Sequence, residues 1–265
     1  MTAKRLDLIT VILFPVLAAI ITITIRTDLL ISTMLFFGLP VVFLAVRRPS
    51  VFEDSAAFAF IVSVPLSLFF DTLAAINGSW IVPMTVYPVR LFGVATIEIY
   101  LFGLLWVLYA TLFYKYFLDG SNMMDIMSSR AIYLALFSFS LPVYVVAGFS
   151  LDYNLLHIPY FYAVSGITFV IAPLIVFLTF HPNFWRKFII AGSYFFYILT
   201  LFEIGALTAG QWTFPGAQFV GTLQLFGFRI PIEELIVWML LATPSILAYF
   251  EFFWNNRQYD RLKSK

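Results

Sequence analysis

Eight long apolar runs constrain this chain more than any other feature. They fall at 6–25, 28–46, 56–76, 95–117, 131–150, 159–180, 188–208 and 231–254. A helix rises about 1.5 Å per residue and bilayer hydrocarbon is about 30 Å thick, so about 20 apolar residues make a crossing. In hydrocarbon the backbone must satisfy its own hydrogen bonds, which a helix does within one segment. The expected fold class is therefore all-α, a polytopic membrane protein of about eight transmembrane helices. Composition agrees: of 265 residues, 62% are hydrophobic and 11% are charged, about half the charge of a soluble domain. Pro15, Pro40, Pro65, Pro142, Pro173 and Pro244 lie inside runs; membrane helices tolerate them as kinks that free a carbonyl. The first run has no clear small-residue cleavage site, so it is expected to stay as a helix. With no cysteine, disulfides and thiolate metal sites are excluded. His157 and His181 lie near run ends, and a histidine metal centre is not expected.

The two halves of the chain echo each other. Asp71, Gly78-Ser-Trp80, Leu91-Phe-Gly93 and Ile97-Glu98 recur in order as Glu203, Gly210-Gln-Trp212, Leu225-Phe-Gly227 and Ile232-Glu233. The acid, the glycine and the tryptophan are each displaced by 132 residues, Leu-Phe-Gly by 134 and Ile-Glu by 135. Matched blocks with small insertions between them are what a duplicated unit shows. The halves read as 1–120 and 131–265, four runs each, joined by a polar segment at 118–130. An even number of crossings per half gives parallel repeats.

Basic residues set the expected orientation. One side holds Lys4, Arg5, Arg47, Arg48, Lys115, Arg130, Arg186, Lys187, Arg257, Arg261, Lys263 and Lys265, against Arg26, Arg90 and Arg229 on the other, twelve to three. Both termini are then cytoplasmic, the basic tail lies against anionic headgroups, and the echo blocks lie outside.

Five acids sit at or inside span boundaries on that outer side: Asp71, Glu98, Glu203, Glu233 and Glu234. An ionised acid at the centre of a membrane helix costs about 2.5–3.5 kcal/mol on insertion scales, so such groups usually face a cavity or a partner. Desolvation and a neighbouring carboxylate both favour the protonated acid. A protonated acid in a dry pocket can donate to something as weakly basic as an alkene. Pro231 fits the first helical turn, where its missing N–H is no loss. Glu233 and Glu234 then occupy that turn, where the helix dipole alone already favours a carboxylate. They diverge by about 100°, so they cannot both point straight into one pocket. The echo with Glu98 selects Glu233 as the inward acid, with Glu234 supporting it or facing the other half. Trp80 and Trp212 fit two readings, interfacial anchors or an aromatic wall for a developing cation, worth about 2 kcal/mol when desolvated. For Arg90 and Arg229, pairing with the acids and a seat among headgroups are both open.

These residues carry a resemblance. Glu203-x6-Gly-x-Trp212 and Ile-Pro-Ile-Glu-Glu234, with their copies in the first half, resemble the integral-membrane lycopene cyclases of bacteria, archaea and fungi, whose cyclase domain is duplicated as two subunits or fused. The chain looks like the fused form over nearly all its length. The resemblance implies acid-catalysed, non-redox closure of the ψ end groups of lycopene to β-ionone rings, an isomerase of carotenoid biosynthesis acting on a linear carotenoid within the bilayer. It implies no cofactor, though a requirement for reduced flavin is left open, and no metal. The chain has no G-x-G-x-x-G dinucleotide fingerprint. Pro231, Glu233, Glu234, Glu203 and Trp212 match directly, and Asp71 and Trp80 match in the first half. Thr96-Ile-Glu98-Ile stands where the second half has Pro-x-Glu-Glu. Glu98 and Asp71 are therefore open as second acid, base or relic, and Trp80, Trp212, Pro231, Arg90 and Arg229 are candidate substrate contacts. Ring type, β or ε, and a homo-oligomer are also left open; nothing points to a nucleic acid.

Two other classes fit the same features. Parallel repeats with intramembrane acids suit a proton-coupled transporter, although the acids cluster toward one face. The altered first-half motif suits a non-catalytic carotenoid-binding membrane protein. A retinal protein needs a lysine deep in a span, whereas the lysines here are expected at span ends.

Overall fold

A computed structural model of the chain describes residues 3–119 and 128–255. It holds eight helical spans: Ala3–Ile25, Leu29–Arg47, Pro49–Ile76, Ile97–Asp119, Ala131–Ser150, Phe161–Phe180, Pro182–Ala209 and Glu234–Trp254, each long and apolar enough to cross a membrane. The protein is an all-α, multi-pass membrane protein. The third and seventh spans begin earlier than the apolar runs, at Pro49 and Pro182, because each proline starts a short tight turn that continues into the helix; its fixed φ suits that first turn. The polar stretch at 120–127 and the basic residues of the tail, Arg257, Arg261, Lys263 and Lys265, lie outside the described residues.

Prolines inside spans do what their chemistry requires. Proline removes the N–H that would bond the carbonyl four residues earlier. Pro15 frees the Val11 carbonyl, and the Tyr194 hydroxyl donates to it at 2.8 Å. Pro173 frees the Phe169 carbonyl, which accepts from Ser245 Oγ (3.3 Å) and Tyr249 Oη (3.2 Å). Just before Pro40 and Pro173 the helix widens into π-type turns at Met34–Gly38 and Ile167–Ile171. The start of the eighth span, Glu234–Leu241, is wound the same way.

The two halves interlock. The first span packs along the seventh, and the fifth packs along the third, so the leading helix of each half lies against the other half. Spans 3 and 4, and likewise 7 and 8, pair as neighbours. Spans 4 and 8 meet near the centre, where Trp106 Nε1 donates to Thr243 Oγ1 at 3.0 Å. Lys115 lies near the end of the fourth span, as the run 95–117 implies, and it is fully buried. The compensation is Asp119, whose carboxylate lies 2.8 Å from Lys115 Nζ and 3.0 Å from Lys187 Nζ; a buried charge is tolerated when it is paired.

Candidate functional site

The loops leaving spans 3 and 7 fold alike. Ser79 N–H bonds to the Ala74 carbonyl and Gln211 N–H to the Ala206 carbonyl, both at 2.9 Å. The following residues, Trp80 and Trp212, bring the loops together. Ile81 and Thr213 exchange two backbone hydrogen bonds of 3.0 and 2.9 Å, and the two indoles meet edge to face with centroids 5.9 Å apart. Gly216 N–H donates to the Gly78 carbonyl at 2.8 Å. A Cβ at Gly216 would stand 2.6 Å from that oxygen, so only glycine permits the approach.

Each loop then makes a short antiparallel hairpin that the apolar-run reading did not contain: Arg90–Leu91 with Ala95–Thr96, and Thr222–Leu225 with Phe228–Pro231. The repeated Phe-Gly is the turn. Phe92 and Gly93 have φ of 52° and 76°, and Phe226 and Gly227 have 54° and 83°. Two consecutive positive φ values are what a tight hairpin turn of this hand requires. Pro231 consequently ends a strand, pairing in register with Thr222, and does not sit in the first helical turn. A strand end at the sheet edge accommodates the missing N–H equally well.

The hairpins deliver the acids. Glu98 Oε1 accepts from Tyr87 N–H at 2.9 Å and Glu233 Oε1 from Val220 N–H at 2.6 Å. Both are buried, and in each the second oxygen has no hydrogen-bond partner among the described residues. These two fasten the loop segment leading into each hairpin to the helix that follows it. Glu233 is therefore not the inward acid, correcting the expectation drawn from the echo.

The inward acid is Glu234. It lines a cavity of about 210 Å³ together with Glu203, Asp71, Trp80 and Trp212. Its Oε2 accepts a short hydrogen bond from the Tyr162 hydroxyl. Tyr162 also lines the cavity and stacks on Trp238 at 5.5 Å. Glu203 Oε1 accepts from Trp212 Nε1 at 3.1 Å, and Asp71 Oδ2 accepts from Thr96 N–H at 2.7 Å. The position corresponding to Glu234 in the first half is Ile99, which also lines the cavity. The halves thus share the fastening acids and one cavity acid each, and only the second half adds another carboxyl.

Arg90 and Arg229 pair with none of the acids among the described residues. Arg90 donates to the carbonyls of Val82 (2.8 Å), Pro83 (3.3 Å) and Val94 (3.1 Å), and the Arg229 guanidinium lies over the Phe219 ring at 5.9 Å. Neither lines the cavity, nor does Pro231. They brace the loops instead, because the cavity wall at this end is made of tryptophan and helix side chains. Tyr162 was not singled out in the sequence. It is one of 14 tyrosines, and the residue it serves lies 72 positions away.

The arrangement brings three carboxyls to one apolar, aromatic-walled cavity. Two of them are hydrogen-bonded by neighbouring side chains, so the site can hold a proton and accept one. Comparison with family models, with curated proteins and with solved structures finds no match to this chain.

Proposed function

We propose that this protein is a lycopene cyclase that closes ψ end groups by proton transfer. The observation that carries the reading is the cavity where Glu234, Glu203 and Asp71 meet the Trp80–Trp212 pair. Glu234 is the acid. Tyr162 donates to one of its oxygens, which leaves the other to carry the transferable proton. That proton goes to C2, the C1–C2 π pair forms the new C–H bond, and C1 becomes a tertiary cation. The C5–C6 π pair closes the C1–C6 bond and moves the charge to C5. Loss of the C6 proton gives the double bond of a β ring. One proton enters, one leaves, and no net electrons move.

Glu203 is the base in this account. The indole N–H of Trp212 donates to it, and a hydrogen bond to an anionic acceptor is stronger than a neutral one. Loss of the proton from Glu203 and uptake of one by Glu234, both by exchange with water between turnovers, reset the site, and both groups face the same cavity. The indole faces favour the intermediate cations, each contact being worth about 2 kcal/mol in a desolvated site. Asp71 and Trp80 shape the same wall from the first half.

The reading includes a duplicated four-helix unit, in parallel orientation, with both termini cytoplasmic. Its support is the matching turn conformations of the two hairpins, the matching carboxylate fastenings and the reciprocal packing of first and fifth spans. The direct test is expression in lycopene-accumulating cells. Monocyclic or bicyclic carotene is the expected product, and lycopene left unchanged by well-expressed protein contradicts the proposal.

A further inference from the structure

The cavity does not stop at the acids. It continues along the eighth span from Glu234 past Trp238, Ala242 and Ser245 to Tyr249, a depth of roughly 20 Å at about 1.5 Å per residue. At its far end the wall is Leu134 and Phe137 of the fifth span facing Phe169 of the sixth. Phe137 and Phe169 touch across the space between those spans, with ring centroids 6.0 Å apart. Phe137 lines the cavity, is 43% exposed, and stands at the edge of a helix face on which Tyr133, Leu136 and Ser140 are also exposed. The cavity and the lipid-facing surface therefore share one side chain as their partition.

The packing of the spans explains why the partition is thin. In the first half, span 1 packs along span 2 and its π-type turn, and Phe36 in that turn is fully buried. In the second half, span 5 leans on span 3, and no comparable packing joins it to span 6. Of the polar groups beside the slot, Ser245 and Tyr249 both donate to the Phe169 carbonyl that Pro173 frees, and the buried Ser138 Oγ has no hydrogen-bond partner among the described residues. Apart from that hydroxyl, what faces the slot is hydrocarbon and aromatic ring. In a membrane such an opening meets acyl chains, not water.

We propose that the Phe137–Phe169 pair is a side portal through which an uncharged, extended hydrocarbon chain passes from the bilayer into the cavity. One end of the chain reaches the carboxyls while the remainder trails through the slot into lipid. A long chain then needs no closed chamber of its own length, and its two ends are processed in separate visits. This inference rests on the cyclase reading only for the identity of the chain.

The chain has no cysteine, so thiols can be placed singly or in pairs. The test uses the full-length protein in phosphatidylcholine vesicles, with Trp185→Phe to remove an exposed tryptophan. The probe is 9,10-dibromooctadecane, an uncharged hydrocarbon whose bromines quench indole on contact. The readout is the stopped-flow rate at which it quenches the cavity tryptophans. Bridging Phe137→Cys to Phe169→Cys with a short bifunctional thiol reagent is expected to slow quenching at least tenfold, and Phe137→Ala to leave it as fast or faster. A control bridge between Phe92→Cys and Phe149→Cys, whose rings stack at 4.8 Å at the hairpin end, is expected to leave the rate unchanged. An unchanged rate across the bridged portal, equal slowing by the control bridge, or no quenching in the unbridged protein overturns the proposal. Normal portal-dependent quenching without lycopene conversion in cells sinks the cyclase reading and leaves the portal standing.

Discussion

Glu233 and Glu234 are consecutive in the chain and serve different parts of the structure. Glu233 Oε1 accepts the Val220 N–H at 2.6 Å, while Glu234 lines the cavity with the Tyr162 hydroxyl bonded to it. The two substitutions to glutamine should therefore separate. Glu234→Gln keeps the shape and removes the acid, and we expect cyclised product to fall at least 100-fold with membrane protein levels unchanged. Glu233→Gln keeps an oxygen for Val220 N–H, and product should stay within a few-fold of wild type. Chromatography of carotenoids from expressing cells, beside an immunoblot, reads both; equal losses would return the role to Glu233.

Tyr162→Phe removes the hydroxyl and keeps the ring against Trp238. General acid–base groups contribute about 10²–10⁴-fold, and a group acting through the acid should account for part of that. We expect kcat to drop by about tenfold or more with KM little changed. A change confined to KM, measured in vesicles over a range of lycopene loading, would mean that Tyr162 only shapes the cavity.

Gly216→Ala tests the contact between the two loops. Its Cβ would stand 2.6 Å from the Gly78 carbonyl, forcing the backbones apart and breaking their 2.8 Å hydrogen bond. Overpacking and a lost hydrogen bond together suggest about 1–3 kcal/mol of destabilisation. Thermal unfolding in detergent reads this, and an unchanged midpoint would show that the loops can slide.

Asp119→Asn removes the carboxylate lying between Lys115 and Lys187. Removing one partner of a buried pair typically costs about 3–5 kcal/mol. We expect a lowered unfolding midpoint and, for the protein that remains folded, unchanged turnover per molecule. A turnover defect at full stability would connect this end of the bundle to the chemistry.

The eight crossings were legible because membrane helices are specified by composition over long windows. The echo also picked out residues that the structure gathers along one cavity: Asp71, Glu203, Trp80 and Trp212 all line it. It misled at Glu233 for a physical reason. Alignment of Glu98 with Glu233 picked out what the halves have in common, and what they share is the fastening of a hairpin. The additional carboxyl, Glu234, stands where the first half has Ile99. The hairpins were missed because Phe-Gly is a weaker turn signal than Asn-Gly or Asp-Gly, and because strands of two to four residues leave no alternation to read. Tyr162 was hidden since the π-type winding that begins the eighth span has no local sequence mark, and it helps to decide which side chain faces it.

The central claim is that a side chain in this apolar cavity gives a proton to a carbon–carbon double bond. The most direct measurement is turnover of lycopene by the purified protein in vesicles equilibrated with deuterium oxide, followed by mass spectrometry of the carotenes. We expect one deuterium at C2 of each ring formed, and no ring formation by Glu234→Gln. Cyclic product without deuterium, or lycopene recovered unchanged from folded wild-type protein, would contradict it.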